Sequence, residues 1–443
     1  MALATLLALK DALNEAIDSV AQEWASHGAP AALDDSSNLG GASTLPTKRC
    51  YDASKTAIGA AGMLQVLMKD PRDHVMETAA QYLEARALHA ASLARIPDIL
   101  QRAESEGKQD GLNAEEIAAK TGYDVRKCDR FMRLLATSHI FRQTGPHKYA
   151  NNRSSAVLVD NAALSNYVDL YGSEWFAAST HFVSALSDDT HDVKRAAFTQ
   201  DRVYNTQGTD MWQYNDDHPV RHDMFATAMA GSAQGNTQAV IEDYPWAALG
   251  KGTLVDVGGG VGTLSFPLLK AFSDLSLVIQ DRASVLAQAA NYWKENFASI
   301  PADRVQLQEH DFFTTNPVRG AKAYMLRYIM DDWNDVLCEK ILSGIRESMG
   351  TGSRVLIVEA LVTPSYISDV DVEIQRAPPP LLPNYGVAQR FVHCRDMNMM
   401  TLINGTERSH DEMKSIVERA GLQVKKVWVC RGALYITECV LKE

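Results

Sequence analysis

The sequence has few cysteines, and none of them is placed to form a paired metal or redox motif. Among 443 residues there are six cysteines without a C-x-x-C spacing, namely Cys50, Cys128, Cys338, Cys394, Cys430 and Cys439. Dispersed cysteines make a disulfide framework or a zinc site improbable and suit a reducing compartment. The twelve histidines are scattered too. We therefore expect no metal site and a cytoplasmic location.

Long apolar runs and an excess of basic residues are also absent. No segment approaches the roughly 18 uninterrupted apolar residues of a membrane helix, and the first twenty residues read as an amphipathic helix rather than a signal peptide. Asp and Glu total 55 against 43 Lys and Arg, which gives a formal net charge of −12. Such a chain has no general attraction to phosphate backbones. We expect neither a membrane nor a nucleic-acid partner.

The first part of the chain is helical in pattern and contains a candidate winged helix. Residues 27–50 are rich in Gly, Pro, Ser and Ala and predict a linker or extended loop. Further on, Asn113 can cap a helix that Gly122 ends, a second helix follows with Phe131 and Leu135 on its apolar side, and the run HIFRQTGPHKYA resembles a hairpin. Winged helices often bind DNA, but on this acidic chain a solvated or subunit-packing face is the favoured interpretation.

After about residue 236 strands alternate with helices, which predicts a mostly parallel, doubly wound α/β sheet. The strand runs include GTLVDV, LSLVIQD and SRVLIVEAL, and the chain closes with two β-rich runs that predict a terminal hairpin. Between residues 160 and 235 the pattern is helical and rich in aromatics. Most of these aromatics should be core, and a few could line an apolar pocket.

The most informative motif is LVDVGGGVG, residues 254–262, in which a strand enters a glycine-rich turn. Glycines let a ligand approach the backbone closely, and Asp281, at the end of the next strand, can accept hydrogen bonds from ribose hydroxyls. A dinucleotide turn would have glycine where Thr263 stands, and the carboxylate of Asp256 disfavours a pyrophosphate. A cationic adenosine cofactor, S-adenosyl-L-methionine (SAM), is therefore favoured over NAD.

At this point the chain resembles a known family. LVDVGGGVG, FATAMAG at residues 225–231, QDRASVL, HDFF and MDDWND are similar to motifs of class I SAM-dependent O-methyltransferases of the plant caffeate and flavonoid type, in the branch that serves fungal secondary metabolism. The resemblance implies a Rossmann-like seven-stranded sheet with a terminal antiparallel hairpin. It also implies an N-terminal all-helical and winged-helix dimerisation domain over residues 1–160, a SAM-binding catalytic domain over 161–443, and a homodimer.

The same resemblance assigns the cofactor-binding residues one by one. It places the methionine end of SAM against Gly258 and Gly260, the ribose at Asp281, the adenine at Asp311 and Phe312, and Arg327 beside the cofactor. For the substrate pocket we expect His222, Asp331, Glu359 and Glu407 as the catalytic candidates, and Met229 and Asn404 as pocket positions by analogy with the family. His222 could equally be an exposed helix residue, and Asn404-Gly405 is a natural turn pair.

One departure from the family pattern bears on the reaction. The family's general base is a histidine in an H-D-W motif, and here that position holds Asp331, although the two acidic residues that hold the histidine survive as Glu359 and Glu407. An ordinary aspartate, with a pKa near 3.9, lies about 6 pKa units below a phenol, or roughly 8 kcal/mol. A carboxylic acid substrate would need no base.

Two enzyme functions and one binding function follow from this departure. The first is a pericyclase, which would keep SAM as a bound positive charge while it cyclises a small polyketide-derived secondary metabolite, by dehydration and Diels–Alder, hetero-Diels–Alder or ene chemistry. The alternative is a SAM-dependent O-methyltransferase of a small phenolic or polyketide substrate. The third is an inactive partner that binds SAM only. The pericyclase is the leading prediction, because an intact cofactor motif beside a lost base is the pattern that such a conversion leaves.

Overall fold

Helices make up the first half of the chain, and strands alternate with helices in the second half. The computed structural model describes residues 2–37, 45–367 and 375–442. The helices are α1 (Ala2–His27), α2 (Lys48–Met68), α3 (Pro71–Leu93), α4 (Ile96–Ser105), α5 (Ala114–Thr121), α6 (Val125–Thr137), α7 (Arg153–Ala156), α8 (Ala162–Gly172), α9 (Glu174–Ser179), α10 (Phe182–Ala185), α11 (Met211–Asp217), α12 (Pro219–Asp243), α13 (Ser265–Ala271), α14 (Ala283–Asn296), α15 (Asp335–Arg346), α16 (Arg390–Ile403) and α17 (His410–Arg419). The strands are β1 (Leu112–Asn113), β2 (Phe141–Gly145), β3 (Lys148–Asn151), β4 (Gly252–Val257), β5 (Leu275–Asp281), β6 (Val305–Glu309), β7 (Ala323–Arg327), β8 (Arg354–Glu359), β9 (Leu422–Val429) and β10 (Tyr435–Leu441).

The predicted linker over residues 27–50 lies between α1 and α2, and both of its ends belong to those helices. Residues 28–37 and 45–47 form neither helix nor strand. The part of this prediction that falls on residues 38–44 lies outside the described residues.

The two short helices and the hairpin of the predicted winged helix are present. Asn113 caps α5 through a reciprocal capping box, in which its side chain accepts from the Glu116 amide while the Glu116 carboxylate accepts from the Asn113 amide. Gly122 ends the helix in the left-handed conformation, with φ of 75°. The hairpin strands β2 and β3 are antiparallel, and β1 joins them in the order β1-β3-β2. Local capping chemistry therefore fixed this unit as the sequence indicated.

The second half forms the predicted Rossmann-like sheet. Its seven strands have the order β6-β5-β4-β7-β8-β10-β9. The strands from β6 to β8 pair in parallel, whereas β10 is antiparallel to both β8 and β9, which makes the terminal hairpin. The strand order reverses between β4 and β7. In open α/β sheets ligands bind in the crevice at the carboxyl ends of the strands beside such a reversal.

Helices from the middle of the chain cover this crevice. The helix α8 packs against α3 on one side and α12 on the other, and α16 packs against α9. Their aromatic side chains form edge-on contacts, for example between Tyr171 and Trp175, whose ring centroids are 5.0 Å apart. The division of the chain at residue 160 stays a prediction. Within the described ranges, none of the helices combines the length and apolar character needed to cross a bilayer.

Candidate active site

The glycine-rich turn after β4 is shaped for close approach to its backbone. Gly258 has φ of 66°, and a Cβ atom at this position would lie 2.5 Å from Cδ1 of Ile329. The Gly260 amide donates a hydrogen bond of 2.9 Å to Oδ2 of Asp281, at the end of the neighbouring strand β5. A side chain at Gly258 would therefore be strained and crowded, and Asp281 anchors the turn from the next strand.

A cavity of about 290 Å³ opens above this turn. Its lining combines the turn with residues from the end of β7 and from α12, among them Gly258, Gly260, Thr263, Asp256, Arg327, Tyr328, His222 and Met229. Asp256 is buried and accepts a hydrogen bond from the Ser265 hydroxyl. Burial raises the pKa of Asp256 to about 6, so at neutral pH this wall carries a carboxylate.

Arg327 is a further charged group of this cavity, whose lining also includes Asp216 and Arg282. Its Nη2 donates to the carbonyl oxygen of Ala233 at 2.6 Å, and burial lowers the pKa of the guanidinium. An open glycine turn beside a buried carboxylate, with room for an adenosine-sized molecule, fits a cationic cofactor such as SAM and does not resemble a pyrophosphate cradle. Gly258, Gly260 and Asp256 would hold that cofactor, with Arg327 beside it.

The remaining predicted cofactor residues surround the turn without lining the cavity. Oδ1 of Asp281 accepts from the Arg282 amide at 2.8 Å, and Asp311, just after β6, accepts from the Phe313 amide at 3.0 Å. The Phe312 ring comes within 3.5 Å of a Cβ atom built on Gly258. The structure thus brings these residues to one edge of the sheet, and their roles toward ribose and adenine stay predictions.

A second cavity of about 280 Å³ lies beside the first. Its walls are mostly aromatic and apolar, and its polar groups include Asp331, Asp332 and Arg395. The aromatic residues are Tyr167, Tyr171, Trp175, Trp212, Phe225, Tyr328 and Phe391. Met229, which the sequence predicted for the pocket, lines both cavities together with Trp212, Phe225, Ala233 and Tyr328. The second cavity is therefore the candidate substrate site, in contact with the cofactor cavity.

Asp331, the residue at the position of the family's base, is bound to an arginine. It lies in a short 3-10 turn after β7 and is only 2% exposed. Nη2 of Arg395, from α16, donates to Oδ2 of Asp331 at 2.7 Å, and Nε of the same guanidinium lies 2.5 Å from Oε1 of Glu407. Oδ1 of Asp331 is buried and has no hydrogen-bond partner among the described residues.

Glu359 and Glu407 lie behind Asp331 and do not line the substrate cavity. The Glu359 carboxyl accepts from the amides of Ile329 and Met330, at 3.0 and 2.5 Å, and so holds the turn that carries Asp331. Burial and the neighbouring Asp331 charge raise the pKa of Glu359 to about 8 and that of Glu407 to about 9. Both are therefore largely protonated at neutral pH, and the Arg395 charge is matched chiefly by Asp331.

Tyr328 forms the wall between the two cavities. Its ring stacks against two guanidinium groups, with the Arg395 carbon 4.5 Å and the Arg327 carbon 5.3 Å from the ring centroid. Its backbone has φ of 56°, which is uncommon for a bulky residue. Non-glycine residues held in this region cluster at ligand sites, where the surrounding structure enforces them.

Besides Glu359 and Glu407, two further predicted residues do not line the substrate cavity. His222 lines the cofactor cavity instead, one third exposed, with Nδ1 3.9 Å from Oδ1 of Asp216. His218 is four residues earlier, a spacing that helical metal ligands can have, but its ring stacks on Tyr214 and hydrogen-bonds the Tyr214 carbonyl oxygen. No group of three or more His, Cys, Asp or Glu among the described residues is arranged to hold a metal.

Asn404 is the second residue that lies elsewhere. It ends α16 in the left-handed conformation, and its amide donates to the Asp192 carbonyl oxygen at 2.7 Å. It lines a separate cavity that also contains Phe182 and Met400, and it is not part of the substrate cavity wall. Asparagine is one of the few residues that tolerate this backbone region, so a helix end accounts for its presence.

Sequence reasoning missed Arg395 and Tyr328. For Arg395 there was a signal in the charge balance, because Asp331, Glu359 and Glu407 were all assigned to one site and buried carboxylates require a cation or a proton. The residue itself stands in an otherwise ordinary helix segment, RFVHCRDMNMMTLI. For Tyr328 the sequence gives no local sign of its unusual backbone conformation.

Comparison with known proteins defines the class. Residues 186–423 match the model of the O-methyltransferase domain, and residues 76–161 match that of the O-methyltransferase dimerisation domain. The chain therefore belongs to the O-methyltransferase family, as the sequence motifs indicated. The predicted fold and the predicted SAM cofactor of this family are confirmed with it.

Individual relatives cover nearly the whole chain. The O-methyltransferase gedA of Aspergillus terreus is 38% identical over 98% of this chain and 96% of its own. The O-methyltransferase tpcA of Aspergillus fumigatus is 35% identical over 99% of this chain and 96% of its own. Among solved structures, the mitomycin 7-O-methyltransferase MmcR is 26% identical, with a TM-score of 0.65, and the match covers 84% of this chain and 99% of that one.

Proposed function

We propose that this protein is a SAM-binding enzyme of secondary metabolism that catalyses a pericyclic reaction, including dehydration and cycloaddition, on a polyketide-derived intermediate without consuming the cofactor. The observation that carries the proposal is the state of the base position. Asp331 is buried there and its carboxylate is bound to the Arg395 guanidinium.

No acidic group of the site is suited to remove a phenolic proton. Asp331 accepts from Arg395, so one oxygen of its carboxylate is already occupied by a guanidinium. Glu359 and Glu407 have raised pKa values, of about 8 and 9, but they are protonated near neutral pH and lie behind Asp331. The site therefore lacks the proton acceptor that methylation of an ordinary phenol requires.

The residues of the substrate cavity are suited to positioning and polarisation. The aromatic walls exclude water and can hold a flexible polyene or polyketide in a folded conformation, which removes much of the entropic cost of cyclisation. Arg395 presents a fixed cationic hydrogen-bond donor that can polarise a substrate carbonyl where negative charge develops. Bound SAM would add a second fixed positive charge across the Tyr328 wall.

Methyl transfer is the second candidate, and the relatives favour it. The curated relatives gedA and tpcA are both named O-methyltransferases. A substrate whose oxygen is already ionised, such as a carboxylate or a strongly acidic phenol, would need no base. Arg395 is the cation of this cavity that could pair with that oxygen, although Asp331 beside it opposes a second negative charge.

The dimerisation domain over residues 76–161 supports a homodimer, which we propose as the working assembly. Light scattering of the purified full-length protein would measure its mass directly. A particle of about 97 kDa, twice the 48.7 kDa chain, is expected, and a mass of one chain at micromolar concentration would contradict it.

Methyl-labelled SAM separates the two reactions. The purified protein is incubated with labelled SAM and with polyene-bearing polyketide alcohols, phenols and aromatic carboxylic acids, and the products and cofactor are analysed by mass spectrometry. The proposal expects an isomerised or dehydrated product with SAM intact. Label in the product, together with accumulating S-adenosylhomocysteine, would overturn it in favour of methyl transfer.

A further inference from the structure

We propose that Asp331 and Arg395 together form an acceptor–donor pair that recognises a substrate with a hydroxyl group next to a carbonyl, as in an enolised 1,3-dicarbonyl. The inference rests on the proposed function, because it names the substrate class of the same cavity. It assigns a binding role to the residue that replaced the base and to an arginine that no motif identified.

The acceptor half of the pair is Oδ1 of Asp331. The other oxygen of this carboxylate, Oδ2, is bound to Arg395, whereas Oδ1 is buried without a hydrogen-bond partner among the described residues. An unpaired buried carboxylate oxygen is costly, and a donor that reaches it recovers that cost. Asp331 is one of the residues that line the substrate cavity, and a substrate O–H or N–H group that bonds to Oδ1 would recover that cost.

The donor half is the Arg395 guanidinium. It carries five N–H donors in one plane, and its Nε and Nη2 face Glu407 and Asp331. The side chain is 18% exposed, lines the substrate cavity and lies over the Tyr328 ring. This fixes the guanidinium edge next to the Asp331 carboxylate, so that one substrate group can contact both residues.

The charge of the cavity favours a neutral group over a substrate carboxylate. The single positive charge of Arg395 is matched by Asp331. Burial together with the Asp331 charge raises the pKa of Glu359 to about 8 and that of Glu407 to about 9, so both are largely protonated near neutral pH, and the same causes raise the pKa of Asp332. A carboxylate beside Oδ1 of Asp331 would be repelled by that oxygen. In the free enol the neighbouring O–H and C=O are hydrogen-bonded to each other, and in the cavity the O–H can share its hydrogen with Asp331 while the C=O accepts from Arg395.

The test compares two bicyclic probes of similar shape on the cofactor-saturated protein. The probe 2-acetyl-1-tetralone is an enolised 1,3-dicarbonyl, whereas 2-isopropyl-1-tetralone has a substituent of the same size and the ring carbonyl alone. Isothermal titration calorimetry at neutral pH is expected to show tighter binding of the dicarbonyl by about tenfold or more, the factor that one hydrogen bond to a charged group gives. Equal affinities, or no binding of either probe, would overturn the proposal.

Variants assign the preference to the pair. Arg395→Met and Asp331→Ala should each reduce the ratio of the two affinities to about one to three, because each removes one half of the pair. Arg390→Met is the matched control, since it removes a guanidinium from the same helix at an exposed position that does not line the cavity, and it should keep the full ratio. Using a ratio within each variant corrects for general loss of binding.

Two further outcomes are decisive. If Arg395→Met does not fold, the Asp331→Ala ratio decides the case alone, and an unchanged ratio there refutes the pair. The result is also independent of the proposed reaction. If the protein prefers the dicarbonyl and transfers label from SAM, the recognition pair is retained and the pericyclase is rejected. If SAM stays intact and the dicarbonyl is not preferred, the recognition pair is rejected and the pericyclase is retained.

Discussion

Removing Arg395 should destabilise the protein more than removing an ordinary surface arginine. In Arg395→Met the Asp331 carboxylate, 2% exposed, loses its guanidinium partner, and Glu407, 3% exposed, loses the same partner. Breaking a buried ion pair by deleting one member costs about 3–5 kcal/mol. For domains of roughly 150–250 residues each kcal/mol lowers Tm by about 2–4 °C, so we expect a fall of roughly 6–20 °C.

A double-mutant cycle separates the pair from general effects of substitution. Tm is measured by differential scanning calorimetry at pH 7 for Arg395→Met, Asp331→Leu and the double variant, with Arg390→Met as the control. Replacing both members of a buried ion pair by apolar residues is often close to neutral, so the double variant should be more stable than either single one. The control, at an exposed position, should stay within about 0.5 kcal/mol of the parent protein.

Either of two results would contradict a buried ion pair between Asp331 and Arg395. One is a Tm of Arg395→Met within about 2 °C of the parent, which would mean that Asp331 is solvated or protonated without cost. The other is strict additivity in the double variant, which would mean that the two side chains do not interact energetically. A low Tm of the single variants together with a recovered double variant is the outcome that supports the buried pair.

Three further predictions follow from the same region. The pKa of Glu407 is raised from 4.5 to about 9, so the folded state binds this proton more tightly than the unfolded state, and Tm should fall as pH rises from 6 to 9. Glu407→Gln should reduce the slope of Tm against pH, and an unchanged slope would mean that Glu407 is not its cause. The pKa of Asp256 is raised to about 6, so the preference for SAM over S-adenosylhomocysteine, whose sulfur is neutral, should shrink from pH 8 to pH 5.5 when measured by calorimetry. In Asp256→Asn the preference should not depend on pH. An undiminished preference of the parent protein at pH 5.5 would exclude this carboxylate as its cause. Asn404→Ala should lower Tm by a few °C, because it strains a left-handed helix end and removes the hydrogen bond to the Asp192 carbonyl oxygen. The affinity for 2-acetyl-1-tetralone should stay unchanged, and a loss of affinity would mean that Asn404 belongs to the substrate site.

The parts of the fold that the sequence predicted are those with local causes. The α5 helix begins at the Asn113 capping box and ends at Gly122, and both signals lie within ten residues of chain. The strands β4 and β5 are apolar runs bounded by glycines and polar residues, and their parallel pairing follows from the helix α13 between them. The glycine turn was also legible, because positive φ at Gly258 leaves little choice of residue.

The chemistry of the site depended on contacts that are remote in sequence. Asp331 was identified by its register in the motif, but its partner Arg395 lies 64 residues away on a helix whose packing the sequence does not encode locally. Asn404 shows the opposite case. Its turn signal was present in Asn404-Gly405, and the structure supports the turn over the pocket position, because the side chain at the helix end bonds to Asp192.

Tyr328 lines two cavities, and this has a consequence for how cofactor binding and substrate binding affect each other in a catalytic cycle. The same ring borders the space for the cofactor and the space for the substrate. A cofactor or substrate that displaces the ring on one side alters the volume left on the other side. Binding of the cofactor and binding of the substrate are therefore thermodynamically linked. Linkage is reciprocal. If the cofactor changes the affinity for the substrate by some factor, the substrate changes the affinity for the cofactor by the same factor.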